Sequence, residues 1–143
     1  VEAPMHLAIY KARSDIHAII HSHALYTGVF AALGWSLPQI LVETTLFTKG
    51  EIPCAKFAPV ASQELADNVV AALGDIGLAA IMEQHGAVYV GKNIDEAFVN
   101  AEYAERVAQT VIYIRSMGQE PRKLDMSFDK MLDKSIMDIT DEF

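Results

Sequence analysis

The chain has 143 residues, of which 52% are hydrophobic and 21% charged, and its formal net charge is −8. This length suits one domain built on one core, and the composition excludes a disordered chain. The negative charge argues against nucleic-acid binding, and no apolar run reaches the roughly 18 residues of a membrane-spanning helix. We therefore expect a soluble protein that binds neither nucleic acid nor a membrane.

The N-terminal half alternates helical and extended patterns. Pro4 suits the first turn of a helix, and Gly34 suits the end of one. The segment I-H-A-I-I-H-S-H is short and β-branched, as strands are. The predicted elements are a helix over residues 3–13, a strand over 16–23, a helix over 25–33 and short strands over 39–45 and 52–57.

The C-terminal half carries clearer helix boundaries. Ser62 is a good N-cap, and Asn93 with Glu96 resembles a capping box. Gly118 is placed to end a long amphipathic helix. The predicted elements are a helix over 63–73, strands over 78–82 and 87–90, a helix over about 94–117, and a short amphipathic helix over 128–139.

Several of these strands are joined by short turns instead of helices. Such connections favour a mixed or mainly antiparallel sheet over a doubly wound parallel one. We therefore predict an α/β protein in which a central, mainly antiparallel sheet is flanked by helices in three layers.

Two histidines, His21 and His23, stand one residue apart in the first predicted strand. Residues two apart in a strand project to the same face, so both imidazoles can converge on one point. His85 follows a second apolar strand and precedes Gly86, which permits a sharp turn. Three histidines with an open position suit a catalytic zinc ion. On spacing alone, polar residues at a half-exposed strand end remain the alternative.

The other histidines and the cysteine have simpler interpretations. His6 is expected to be a surface residue or to contact the metal ligands without binding the metal itself. His17 is expected to be a polar residue at the periphery of the site. Cys54 is expected to be a small buried strand residue. A lone cysteine forms no intrachain disulfide, and the sequence has no secretory signal, so the predicted compartment is the cytoplasm.

Three stretches together resemble the class II aldolase/adducin family. They are the N-terminal segment from Glu2 to Ala24, the segment I-P-C-A-K-F-A-P, and the turn E-Q-H-G-A-V-Y-V-G before the long helix. The resemblance implies a family domain over residues 1–118, without its N-terminal part, followed by a tail over 119–143. It also implies a homotetramer with active sites at subunit interfaces.

The resemblance assigns roles to four residues. His21, His23 and His85 would bind a divalent metal, and Glu2 would transfer the proton and complete the metal's coordination when no substrate is bound. The ion would be Zn²⁺ or another divalent metal such as Mn²⁺ or Co²⁺, since such donors accept several. The implied reaction is cleavage of a sugar phosphate, such as a ketose 1-phosphate, through a metal-stabilised enediolate.

The sequence departs from the family pattern at several points. The Gly-Asn phosphate loop is not in this sequence, Val42 stands where the aldolases have a proton-donating tyrosine, and the epimerase's aspartate would fall near Leu46. A dehydratase, decarboxylase or epimerase on the same scaffold is therefore the alternative enzyme. An adducin-like binding module is a further alternative, although such a module has no need of the ligand set.

Overall fold

The structure is a computed structural model that describes residues 2–127 and residue 130. Its helices are α1 (Ala3–Ala12), α2 (Leu25–Leu33), α3 (Val42–Phe47), α4 (Gln63–Leu73) and α5 (Ile94–Ser116). Its strands are β1 (Ala18–Ser22), β2 (Cys54–Ala55), β3 (Ala79–Met82) and β4 (Gly86–Gly91). They form a sheet in the order β1-β4-β3-β2, in which β4 pairs antiparallel with β1 and β3, and β2 is parallel to β3.

The sheet separates two apolar cores, because consecutive residues of β4 point to opposite faces. Val88 and Val90 belong to the core shared with α1 and α4, whereas Ala87 and Tyr89 belong to the core shared with α2 and α5. The prediction of a mainly antiparallel sheet between two helical layers is therefore confirmed.

The predicted helix caps are present. The Ser62 hydroxyl accepts a hydrogen bond from the Leu65 amide at 3.0 Å, and the Asn93 side-chain oxygen accepts one from the Glu96 amide at 2.8 Å. The Glu96 carboxylate turns back to accept from the Lys92 amide instead of the Asn93 amide that a capping box would use. These bonds satisfy amides at the starts of α4 and α5 that have no partner within the helix.

The prediction of a strand over residues 39–45 is wrong, because this region contains helix α3. Its threonines favoured a strand, but Thr44 and Thr48 donate their hydroxyls to carbonyls of the helix itself, those of Leu41 and Thr44. Packing on α5 also stabilises the helix, since the Phe47 ring stacks on the Tyr103 ring with 4.2 Å between the ring centroids. Tertiary contacts and local hydroxyl bonds thus override the β propensity.

The strand predicted over 52–57 is shorter than expected. Ile52 exchanges two backbone hydrogen bonds with Leu37, and only Cys54 and Ala55 join the sheet. The amide of Phe57 donates to the Glu83 carboxylate at 2.9 Å, which diverts it from strand pairing.

The C-terminal tail begins after α5. The Leu124 amide donates to the Gln39 carbonyl at 2.8 Å, so the described part of the tail lies against the loop before α3. The amphipathic helix predicted over 128–139 lies outside the described residues. Within residues 2–127 and 130, no helix combines the length and the apolar character needed to cross a membrane.

Candidate metal centre

The candidate site lies at the end of the sheet where β1 finishes and β4 begins. Ser22 pairs with Ala87, so residues just after β1 lie beside residues just before β4. His21 is in β1, His23 follows it directly, and His85 is in the turn between β3 and β4. The antiparallel pairing therefore brings together three histidines that are up to 64 residues apart in the sequence.

The three imidazoles surround one point. Their ring centroids are 4.8 to 5.1 Å apart, and one nitrogen from each ring lies within 4.8 Å of the others. The Nε2 atoms of His21 and His23 are 3.0 Å apart. Two nitrogens bound to a tetrahedral zinc ion lie about 3.3 Å apart, so these rings are close to a ligating arrangement.

A backbone carbonyl fixes the tautomer of His21. Its Nδ1 lies 3.0 Å from the carbonyl oxygen of Ala87. Because a carbonyl can only accept, Nδ1 donates in this bond, and in the neutral ring the lone pair is then on Nε2, the nitrogen that faces His23. Metal-binding histidines are commonly oriented by such a bond on the second nitrogen.

Glu2 brings a carboxylate to the same cluster from the start of α1. Its Oε1 lies 3.6 Å from Nε2 of His85, and its side chain is only 15% exposed. Its other oxygen, Oε2, and Nδ1 of His85 are buried without a hydrogen-bond partner among the described residues. Burying a carboxylate oxygen unpaired is costly, so a cation among these donors would stabilise the arrangement. The donor set therefore fits a divalent metal ion.

Burial also keeps His85 in the form that binds metal. Desolvation lowers the pKa of His85 below its ordinary value, the nearby Glu2 carboxylate opposes this, and His21 and His23 lower it further. A lowered pKa favours the neutral imidazole, which offers a lone pair.

Glycine at position 86 allows the close approach of the two strand ends. A Cβ atom built there would lie 2.5 Å from the Ser22 carbonyl oxygen and 2.8 Å from Cδ2 of His23. The preceding turn is held by its backbone, since the Gln84 amide donates to the Ala31 carbonyl at 2.8 Å and Gln84 adopts a positive φ of 55°. The turn that presents His85 is thus tied to α2.

A cleft of about 620 Å³ opens in front of the cluster. It is lined by Glu2, the three histidines, Phe57, Val60 and Gln84. Phe57 and Val60 could not be predicted from the sequence, because no spacing relates the loop after β2 to the ends of β1 and β4. Gln84 precedes His85 in the turn between β3 and β4. The side chains of Phe57 and Val60 are 52% and 54% exposed, so they form an accessible apolar wall.

The remaining residues of interest lie outside the three-histidine cluster. His6 is half-buried, with a pKa lowered by burial and by the charge of His21, and His17 is exposed. Val42 is exposed at the first turn of α3 and does not line the cleft. Cys54 is a half-buried residue of β2, where burial and the Glu83 charge raise the pKa of its thiol.

The fold and the site together define a three-layer α/β protein with a three-histidine centre that fits a divalent metal. The profile of the Class II Aldolase and Adducin N-terminal domain matches residues 1–112. The chain belongs to this family. The expected resemblance is therefore confirmed.

Individual relatives agree with this assignment. The chain is 37% identical to an L-fuculose phosphate aldolase of Methanococcus maripaludis over 82% of its length, and 34% identical to a 5-deoxy-D-ribulose 1-phosphate aldolase of Bacillus thuringiensis over 86%. A solved L-fuculose 1-phosphate aldolase is similar over 93% of this chain, with a TM-score of 0.84 and 31% identity. The chain spans 63%, 56% and 62% of the lengths of these three proteins.

Proposed function

We propose that this protein is a metal-dependent aldolase-type lyase that cleaves a ketose 1-phosphate into dihydroxyacetone phosphate and an aldehyde. The observation that carries the proposal is the convergence of His21, His23 and His85 with the Glu2 carboxylate beside them. The relatives named above act, by their names, on sugar phosphates of this kind.

In this proposal, three residues bind the metal ion and a fourth transfers a proton. His21, His23 and His85 would hold the ion, which we propose to be Zn²⁺, and the bound ion would supply a Lewis acid for the substrate. Glu2 moves the proton. When the bond between C3 and C4 breaks, its electron pair stays with C3, which takes a proton from the Glu2 carboxyl. The C4 hydroxyl gives its proton to water as its O–H electron pair becomes the second bond of the aldehyde carbonyl, and Glu2 regains a proton from water.

The same proposal covers the organisation of the chain. We place the catalytic family domain at residues 1–118 and the tail at 119–143, and we assign the protein to the cytoplasm. The net charge of −8 repels an anionic substrate, so a local positive centre is needed to attract it. The metal ion at the three histidines would supply that centre.

A metal and activity measurement on matched histidine variants tests the proposal. We expect the purified protein to bind one divalent ion per chain and to release dihydroxyacetone phosphate from at least one member of a panel of ketose 1-phosphates. His21→Ala should weaken metal binding by more than about a hundredfold and abolish cleavage, because it removes a ligand itself. His17→Ala, an exposed histidine four residues earlier, is the control and should change neither.

Two outcomes would contradict this proposal. A wild-type protein that takes up no divalent ion would support the adducin-like binding module instead. Metal-dependent consumption of substrate without release of an aldehyde would indicate a dehydratase, decarboxylase or epimerase on the same scaffold.

We further propose that the protein forms a homotetramer with its sites at subunit interfaces. The exposed side of α2 supports an interface near the site, because Leu25, Val29 and Leu33 are 72%, 38% and 50% exposed and α2 begins two residues after His23. Apolar surface of this kind is typical of protein contacts.

Light scattering tests the assembly. The wild-type chain should have about four times the mass of one chain. Leu25→Asp should lower that mass, whereas Ile76→Asp, a control at a 67% exposed residue after α4, should leave it unchanged. A monomeric wild type would contradict the tetramer.

A further inference from the structure

The start of helix α2 is capped by a residue from a distant part of the chain. Ala24, at the N-cap position, has no side chain that could accept a hydrogen bond. Instead, Oε1 of Glu105 on α5 accepts from the Tyr26 amide at 2.6 Å, and Oε2 accepts from the Thr27 amide at 2.9 Å. These are the second and third amides of the helix, the ones that an N-cap side chain normally satisfies.

A third bond makes this contact part of a buried network. The Thr27 hydroxyl, which is fully buried, donates to Oε2 of Glu105 at 2.9 Å and accepts from the Tyr89 hydroxyl at 3.3 Å. Tyr89 lies on β4, opposite Ile20 of β1. Glu105 therefore ties α5, α2 and the sheet together at one point, and a carboxylate at a helix N-terminus also interacts favourably with the helix dipole.

This point lies immediately after the metal centre along the chain. His23 follows the end of β1 and precedes Ala24, so only one residue separates it from the first turn of α2. His21 is oriented by the Ala87 carbonyl, and His85 lies against Glu2. Within residues 2–127, by contrast, the ring of His23 is hydrogen-bonded to His21 alone. The position of the His23 imidazole thus depends on its backbone.

From this geometry we infer that Glu105 is a positioning residue of the metal centre. By fixing the first turn of α2, it holds the backbone that presents His23 to the two other histidines. The inference rests on the proposed function, because it assigns His23 as a ligand. Glu105 itself does not line the cleft and is not one of the clustered donors.

The test is metal affinity in Glu105→Gln. Glutamine keeps the size of the side chain, but it offers one acceptor oxygen and places an NH₂ donor where the second amide needs an acceptor. Mutating a residue that orients a metal ligand typically lowers metal affinity by 10–100-fold. The Kd for Zn²⁺, measured by competition with a chelating dye, should therefore rise about tenfold. The absorption spectrum of the Co²⁺ form should change as well, because the geometry of His23 changes.

Glu102→Gln is the matched control. Glu102 lies one turn earlier on α5, is exposed, and has the same charge. The Kd of this variant for Zn²⁺ should stay within about twofold of the wild type, since Glu102 orients none of the proposed ligands. All titrations are made at a temperature where circular dichroism shows each variant to be fully folded, which separates metal affinity from stability.

The outcomes distinguish this inference from the proposed function. If the wild type binds no divalent ion, both are overturned. If the wild type binds Zn²⁺ and Glu105→Gln binds it equally well, even with a lower melting temperature, Glu105 is only a helix cap and the inference alone is overturned.

Thr27→Val is used if Glu105→Gln does not fold. It removes one of the three donors to the carboxylate and should raise the Kd about threefold. An unchanged Kd in that variant would overturn the inference.

Discussion

Glu2→Gln is expected to lower the rate of ketose 1-phosphate cleavage by at least about a hundredfold, because positioned proton transfer typically contributes 10²–10⁴-fold. The amide keeps the shape of the carboxyl group but carries no acidic proton to give to C3. Metal affinity should fall by less than about tenfold, since three imidazoles would still be available to hold the ion. Turnover is measured by coupling dihydroxyacetone phosphate to an NADH-dependent reductase, and metal content by chelator competition.

Glu102→Gln again serves as the control for loss of one negative charge, and it should retain wild-type turnover. Two results would contradict the role of Glu2. Near-normal turnover in Glu2→Gln would show that another group moves the proton. A loss of activity that excess Zn²⁺ restores would show that Glu2 acts as a metal ligand and not as the proton carrier.

The part of the candidate site at the end of β1 could be predicted from the sequence, because it depends on local geometry. The period of two in a strand places His21 and His23 on one face, and both do contribute to the cluster. His85 required a further step. A histidine between a buried strand and a glycine suggested a turn at a sheet edge, but only the antiparallel pairing of β1 with β4 shows that this turn lies beside β1.

The contacts of Glu2 and Glu105 could not be predicted from sequence patterns. Nothing in the spacing of charges along the chain indicates that the start of α1 reaches His85, and the position of Glu2 came from the family resemblance alone. Glu105 lies 78 residues from the Thr27 hydroxyl that it accepts from, so its contact depends on how α5 packs on α2. A glutamate on an amphipathic helix is more commonly exposed to solvent.

Helix α3 shows the limit of local propensity in the fold. Threonine and valine favour strands because their branched side chains pack well on a pleated surface. In α3 the threonine hydroxyls bond to nearby carbonyls and Phe47 stacks on Tyr103, two features that depend on surroundings. The capped helices α4 and α5 were predictable by contrast, because a cap is a contact between residues only three apart.

Gly86→Ala is expected to disrupt the metal centre without replacing any of the three clustered histidines. The new methyl carbon would lie 2.5 Å from the Ser22 carbonyl oxygen and 2.8 Å from the His23 ring, both far inside van der Waals contact. The Ser22 contact is with backbone that is paired to Ala87, so β1 and β4 must separate locally. Overpacking of this kind costs about 1–3 kcal/mol in the free energy of unfolding. The shift moves His23 away from His85, so Zn²⁺ affinity should also fall by at least about tenfold.

Gly28→Ala is the matched control, since a Cβ atom at Gly28 meets nothing within 4 Å and the residue lies inside helix α2. Alanine is favoured over glycine within helices by about 0.5–1 kcal/mol, so this variant should be as stable as the wild type or slightly more so. Urea denaturation of the metal-free proteins gives the stabilities, and zinc competition gives the affinities.

If Gly86→Ala matched Gly28→Ala in both measurements, the two strand ends would be able to move apart at no cost. The centre would then be assembled by the metal ion and not by the close packing of β1 against β4. A loss of affinity together with a loss of stability, found in Gly86→Ala alone, would instead indicate that the packing of the sheet positions the histidines before any ion binds.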